Sequence, residues 1–390
     1  MLCDEMREHL TKKLIPFWEN LKDDEFGGFY GWMDTALVVD KRAEKGCILN
    51  SRILWFFSNA YLCLGDKKLK EYADHAYLFM RDICYDKERD GVYWSVSYDG
   101  KVVDSTKHTY NQAFAVYALS SYFRAFGNEE ALELANKLVK TIENKCFDAH
   151  GYLEALDINF KPVENDKLSE NGVLADRTMN TLLHVLEAYT EYYLVTGSKT
   201  AGDKLEWMLD MIEKHVYNPK LHRQEVFFDN DMNSLIDLHS YGHDIETAWL
   251  VDRCLEFLQN TTYQQRMTPI IRSLEREVLH SAYTGDSLTN ECERGIVDKK
   301  RVWWVQAEAV VGFYNAYEKT GDVAYLQATE SVWKFIQQHL IDKRDGGEWF
   351  WYTDENGNPA WTEPVVEPWK CPYHNGRMCM EMIRRGAGRE

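Results

Sequence analysis

One stretch of the sequence sets a base, a carboxylate and a flat aromatic at helical spacing. It runs His239-Ser240-Tyr241-Gly242-His243-Asp244-Ile245-Glu246 and continues into Thr247-Ala248-Trp249-Leu250. A helix opening near His243 puts His243, Glu246 and Trp249 on one face, because residues three apart on a helix are neighbours. An imidazole beside a carboxylate suits general acid–base chemistry, and an indole beside them offers a flat apolar face to a ring-shaped ligand. A histidine at a helix start is also a common cap or packed core residue, so the stretch does not decide the matter alone.

The elements that must position these residues are legible as a repeat. Leu64-Gly65-Asp66, Phe126-Gly127-Asn128, Thr196-Gly197-Ser198, Gln259-Asn260-Thr261 and Thr320-Gly321-Asp322 each offer a left-handed helix stop followed by a side chain able to cap the next helix. With Asn260 taken as the stop in the fourth unit, the intervals are 62, 70, 63 and 61 residues. A regular period of that size calls for an array of similar units. Before each stop lies a segment apolar nearly all round, such as Ala113-Phe114-Ala115-Val116-Tyr117-Ala118-Leu119, as expected for a helix buried on every side. After it comes an amphipathic helix, as where Ala131, Ala135, Leu138 and Ile142 form a stripe and Glu129, Glu133, Lys137 and Lys140 lie elsewhere.

Inner and outer helices therefore alternate. Five pairs run from about Ile48 to Leu340, while Met6 to Leu21 and His374 to Arg385 supply one more outer and one more inner helix. Joined, the two ends complete a sixth pair and close a ring. The long connections carry hairpin signals, at Val92 to Tyr98 before Asp99-Gly100 and at Trp349 to Tyr352 before Asn356-Gly357. These loops lead into the inner helices, so they gather on one face, and a site belongs there.

Positions 17 and 13 residues before each stop read Tyr110 and Phe114, Asn180 and His184, His243 and Thr247, Trp304 and Glu308. Arg52 lies 13 before Gly65 and His374 lies 12 before Gly386. Polar side chains in helices otherwise this apolar are costly to bury without partners. A ring would converge them on its axis, as a ligand site or as a structural polar network.

Composition narrows the class. The 390 residues are 45% apolar with eight prolines, enough for a large core without disorder-prone bias. A net charge of −18 argues against nucleic acid and anionic membranes as partners. Nine cysteines without a C-x-x-C pair suit reduced thiols in the cytoplasm, and no apolar run reaches the roughly 18 residues of a membrane span. A monomer or weak homodimer acting on a small molecule is the expectation. Cys371 and Cys379 near His374 lack the partner pair a zinc site needs, and neither Gly27-Gly28 nor Gly346-Gly347 fits a nucleotide loop.

Four segments carry a resemblance. Ser51-Arg52-Ile53-Leu54-Trp55, Ser240 to Glu246, Arg301-Val302-Trp303-Trp304-Val305-Gln306-Ala307-Glu308 and Trp369-Lys370-Cys371-Pro372-Tyr373-His374-Asn375-Gly376-Arg377 resemble the motifs of the N-acylglucosamine 2-epimerase superfamily. The likeness is nearest to its bacterial members that act on cellobiose. It implies an all-α (α/α)6 barrel spanning residues 1–390 as a single catalytic domain, with small β-hairpins on the active-site face. It also implies reversible epimerisation at C2 of the reducing-end glucose of β-1,4-linked disaccharides, without cofactor or metal.

That reaction removes a weakly acidic proton next to a carbonyl and returns one to the other face of an enediol, which histidine suits. His243 and His374 are the expected pair. Arg52 is expected to stabilise charge developing on oxygen, and Glu246 to orient His243 or hold a hydroxyl. Asn180, His184 and Glu308 suit hydroxyl recognition or ring opening, Tyr110 substrate binding, and Trp249, Trp304 and Trp369 sugar faces. The rivals are an aldose–ketose isomerase or an N-acylglucosamine epimerase of the same superfamily, a glycoside hydrolase using Glu246 and Glu308, and a non-catalytic sugar binder.

Overall fold

The computed structural model describes residues 2–167 and 171–386. Five apolar helices, each 18 residues long, form the inner wall: α3 (Cys47–Leu64), α5 (Thr109–Phe126), α7 (Met179–Thr196), α9 (Tyr241–Leu258) and α11 (Trp303–Thr320). A shorter sixth, α13 (Tyr373–Arg384), fills the remaining place. Each inner helix packs on the next, and α13 packs on both α11 and α3, so the ring closes. The outer layer consists of α1 (Leu2–His9) with its continuation α2 (Ile15–Glu19), then α4 (Leu69–Phe79), α6 (Glu129–Lys145), α8 (Lys199–Met211), α10 (Thr261–Ser281) and α12 (Val323–Phe335). The α1 helix packs against α13, which makes the sixth pair from the two ends of the chain. This is the expected (α/α)6 barrel.

The punctuation works as capping chemistry. Gly65, Gly127, Gly197 and Gly321 end their helices at positive φ, where glycine meets no Cβ penalty. Asn128 and Ser198 then accept from the backbone N–H groups of Ala131 and Ala201 to start the next helix. Asp66 accepts from Lys68 N, and α4 begins only at Leu69.

The fourth unit departs from the expectation. Its left-handed residue is Gln259 at φ 51°, and Asn260 caps α10 by accepting from Thr262 N and Tyr263 N. Asparagine takes the cap because its side chain does what no glutamine at that place can, and Gln259 absorbs the strained backbone. Gln259→Gly is accordingly expected to stabilise the fold by about 1 kcal/mol, measured as a higher urea midpoint with unchanged m-value. An unchanged or lower midpoint would show that the strain is relieved elsewhere.

This one-residue shift moves the register. Counted from Gln259, the position 13 earlier is Glu246, not Thr247, and the position 17 earlier is Gly242, not His243. Counted from Gly386, which also has positive φ, the position 13 earlier is Tyr373. One layer of the barrel axis is thus Arg52, Phe114, His184, Glu246, Glu308 and Tyr373. The Arg52 guanidinium lies 4.2 Å from the Phe114 ring centre and 5.0 Å from that of Tyr373, and the Phe114 and His184 rings are 5.1 Å apart.

The loops on the inner-helix N-terminal face fold into short antiparallel pairs. Ser95–Val96 and Val102–Asp104 form the hairpin expected around Asp99-Gly100. Tyr352–Thr353 turns through Asp354 to Asn358 as expected, but its strand partner is Arg301–Val302, directly before α11. Buried ion pairs fasten these loops just upstream of the inner helices: Lys45 with Asp23 at 2.5 Å, Lys107 with Asp86 at 3.0 Å and Lys370 with Glu348 at 2.5 Å. Breaking one would leave a buried charge unpaired, so they fix where α3, α5 and α13 begin.

Candidate active site

A cavity of about 550 Å³ opens on the hairpin face at the barrel axis. Of the expected residues, Arg52, Tyr110, Asn180, His184, His243, Glu246, Trp304, Trp369 and His374 line it. They come from all six inner helices or the segments just before them, so only the closed ring assembles them.

His243 and His374 flank one indole. The Trp304 ring centre lies 4.8 Å from that of His243 and 5.5 Å from that of His374. Gly242 makes room for it, since a Cβ there would come within 2.6 Å of the indole. His243 Nδ1 sits 2.7 Å from Ser240 Oγ, and His374 Nδ1 sits 2.7 Å from Glu308 Oε1. Burial pushes His243 down to about 3, aided by neighbouring His184. Burial, then the charges of Arg377 and Arg52, push His374 well below the ordinary imidazole value. Both rings are therefore neutral at working pH and able to accept a proton. A carboxylate stands behind His374 to stabilise the imidazolium as it forms, whereas His243 has only a hydroxyl.

Beneath the histidines lies a charged layer centred on Arg377. Its guanidinium donates to Glu187, Glu246 and Glu308 at once, with Glu308 at 2.7 Å. Burial pushes Glu246 up to about 8, with the negative charge of Glu308 adding to the rise, and burial raises Glu308 too. Of the two, Glu308 receives two donors, Arg377 and Trp249 Nε1, and stands 2.7 Å from His374 Nδ1. Glu246 receives only Arg377, and its Oε2 has no partner. The shared proton therefore belongs on Glu246, where it gives a neutral acid facing the cavity. Arg52 and Arg377 then balance Glu187 and Glu308, and the buried site is electrically neutral.

Glu246, Glu308 and His374 bring three ligand atoms within 4.8 Å of one another, a spacing that would suit a cation. The Arg377 guanidinium already bridges both carboxylates, and His374 Nδ1 is committed to Glu308. Cys371 and His374 share no site either, because the thiol lies 3.7 Å from Arg52.

The remaining expected residues divide in two. Arg52 Nη2 donates to the Tyr110 hydroxyl at 2.7 Å; burial opposes its charge, but Tyr110, Cys371 and Tyr373 outweigh that, so it is a fixed cation on the wall. Asn180 Oδ1 is buried without a partner, an acceptor awaiting a hydroxyl. His184 pairs with Glu187 at 2.9 Å. Trp369 stands beside Tyr110 at the rim, with ring centres 5.8 Å apart. Trp249 and Glu308, by contrast, do not reach the cavity wall. They are bonded to each other at 2.9 Å, outside the set of residues that line the cavity. Glu246 bonds Arg377 and not His243, correcting the local pairing expected along α9.

Residues 28–375 match the N-acylglucosamine 2-epimerase (GlcNAc 2-epimerase) family. The chain is 48% identical over 386 residues to the cellobiose 2-epimerase of Ruminococcus albus, covering 99% of each. The chain belongs to this family. The crystal structure of a sugar epimerase from a ruminal bacterium superposes with a TM-score of 0.98 at 48% identity, over 100% of both chains. Cellobiose 2-epimerase from Bacillus thermoamylovorans gives 0.95 at 43% identity, over 98% of this chain and 99% of that one.

In this member of the epimerase family, sequence reasoning missed four residues that build the site: Arg377, Glu187, Tyr373 and Ser240. Signals for them existed. Glu187 follows His184 by three residues, as Glu246 follows His243, and Arg377 follows His374 by three on the helix that closes the inner ring. Trp351 and Lys300 also line the cavity, each from the position just before one strand of the Tyr352–Thr353 and Arg301–Val302 pair. No helix among the described residues is long and apolar enough to cross a membrane.

Proposed function

We propose that this chain catalyses reversible epimerisation at C2 of the reducing-end glucose of β-1,4-linked disaccharides such as cellobiose and lactose. The observation that carries the reading is the pair of neutral imidazoles, His243 and His374, facing one cavity across the Trp304 indole with the fixed cation Arg52 on the same wall. In ring opening one imidazole takes the proton of the C1 hydroxyl. The other then takes the C2 proton, and the first, now an imidazolium, returns its proton to the opposite face, ring closure restoring both imidazoles to neutrality. Arg52 stabilises the enediolate oxygen, and Glu246 donates to a hydroxyl or to the ring oxygen. A volume of about 550 Å³ lined by Trp304, Trp351 and Trp369 accommodates two sugar rings. The full-length relatives named for cellobiose support the same substrate.

A hydrolase would need two carboxylates flanking a glycosidic bond. Glu308 lies beneath His374 and off the cavity wall, which argues against that use. The whole chain, 1–390, is proposed to act as a single catalytic domain, because α1 and α13 come from opposite ends and complete one ring.

Chromatography of products from cellobiose, mannose and N-acetylglucosamine tests the reading. Glucosyl-mannose from cellobiose is expected, at a rate unchanged by exhaustive chelation, since Arg377 fills the cation position between the carboxylates. Free glucose would mean hydrolysis, a ketose would mean isomerisation, and loss with EDTA restored by one metal would overturn the cofactor-free mechanism.

A further inference from the structure

Arg377 is 1% exposed and is not among the residues that line the cavity. Yet among the described residues it alone joins the carboxylates behind two separate histidines. Its Nη1 donates to Glu187, which holds His184 Nδ1, and its Nη2 donates to Glu308, which holds His374 Nδ1. The guanidinium is wedged 4.3 Å from the Tyr373 ring centre and 4.8 Å from that of Trp249, so its plane is fixed by aromatics on α13 and α9.

We infer that Arg377 is a positioning residue that sets the protonation pattern of the site, keeping Glu187 and Glu308 ionised and thereby fixing His184 and His374 as Nδ1–H tautomers whose Nε2 atoms serve the cavity. A carboxylate accepts and cannot donate, so an ionised Glu308 forces the proton onto His374 Nδ1 and leaves Nε2 as the base. The same holds for Glu187 and His184. With two cations, Arg377 and Arg52, among three acids, one proton stays in the cluster, and Glu246, the acid with an unpartnered oxygen, keeps it.

The groups facing Arg377 come from every neighbouring helix. Glu187 and His184 stand on α7, and Glu246 on α9. Glu308 stands on α11, and Tyr373 and His374 on its own helix. The neutral phenol of Tyr117 on α5 and the cation Arg52 on α3 complete the surroundings. Against burial, which pushes it up, Arg377 and His184 hold Glu187 well below the usual carboxylate range. Lysine would bring charge but no planar fork, and a single ammonium cannot serve three carboxylates in fixed directions.

The inference rests on the proposed epimerase reading, and its test separates the two. In Arg377→Lys and Arg377→Met, the acidic limb of kcat should move up by about one pH unit or more, because Glu308 now binds a proton and releases the Nδ1–H bond. KM should change little. Loss of rate by the same factor at every pH, or an unmoved profile, would overturn the assignment. Should the variants not fold, long-range ¹H–¹⁵N spectra of histidine-labelled wild-type protein decide it. His184 and His374 protonated on Nδ1 support it, and protonation on Nε2 of either overturns it. Wild-type protein that leaves cellobiose unchanged would sink the epimerase reading, while the tautomer spectrum would still decide the role of Arg377.

Discussion

His243→Ala and His374→Ala are each expected to lower kcat by roughly 10²-fold or more, the usual scale for a positioned acid or base. The folds should survive. Among the described residues the His243 ring bonds Ser240 alone, and Glu308 keeps Arg377 and Trp249 when His374 is removed. Neither substitution therefore strands a buried charge, the usual route to a large loss of stability. Because the reaction is reversible, each histidine takes the proton in one direction and gives it in the other, so both variants should be slow from either sugar. Initial rates with cellobiose and with its epimer, alongside circular dichroism, check this. Near-normal turnover in either variant would make that histidine structural. Burial holds both imidazoles neutral, so the wild-type acidic limb should lie well below the ordinary imidazole value of about 6.5.

The alternation of apolar and amphipathic helices reads directly from the sequence, because a helix buried on all sides and one buried on a single stripe differ in periodicity. Ring closure was legible too, from an unpaired outer helix at one end and an unpaired inner helix at the other. The register slipped by one residue at Gln259, since nothing in a glutamine side chain announces a left-handed backbone, whereas glycine announces it four times elsewhere. That slip put Thr247 where Glu246 belongs. Local spacing also suggested that Glu246 serves His243, which holds along an isolated helix. In a closed ring each inner helix faces the axis, and a buried carboxylate goes to a guanidinium across the axis in preference to a neutral imidazole beside it. Trp249 failed for a related reason. Six residues beyond His243 it lies about 9 Å further along the helix axis, below the layer that floors the cavity. Arg377 was visible as a residue in a recognised segment but not as the centre of a cluster, since its three partners arrive from α7, α9 and α11 and share no sequence neighbourhood.

Product formed in D₂O should carry deuterium at C2 in most molecules. The expectation follows from two imidazoles standing on separate helices and touching the same indole, so that the proton removed by one is not the proton delivered by the other. The delivering ring carries a proton taken from the C1 hydroxyl in ring opening, and that hydroxyl exchanges with solvent before the sugar binds, so the proton delivered is solvent-derived. Mass spectrometry and proton NMR of the isolated epimer read the label, and starting sugar re-formed through the reverse reaction should gain it as well. Label at C1 of a ketose would instead report proton return to the neighbouring carbon, the outcome of an isomerase. Epimer without label would remove the two-base mechanism while leaving the epimerase reading in place. It would require a single shielded imidazole that returns its own proton after the enediol has turned over. His374, with Glu308 behind it to hold the imidazolium, would then be the base, since His243 has only the Ser240 hydroxyl and could not retain a proton through that rotation.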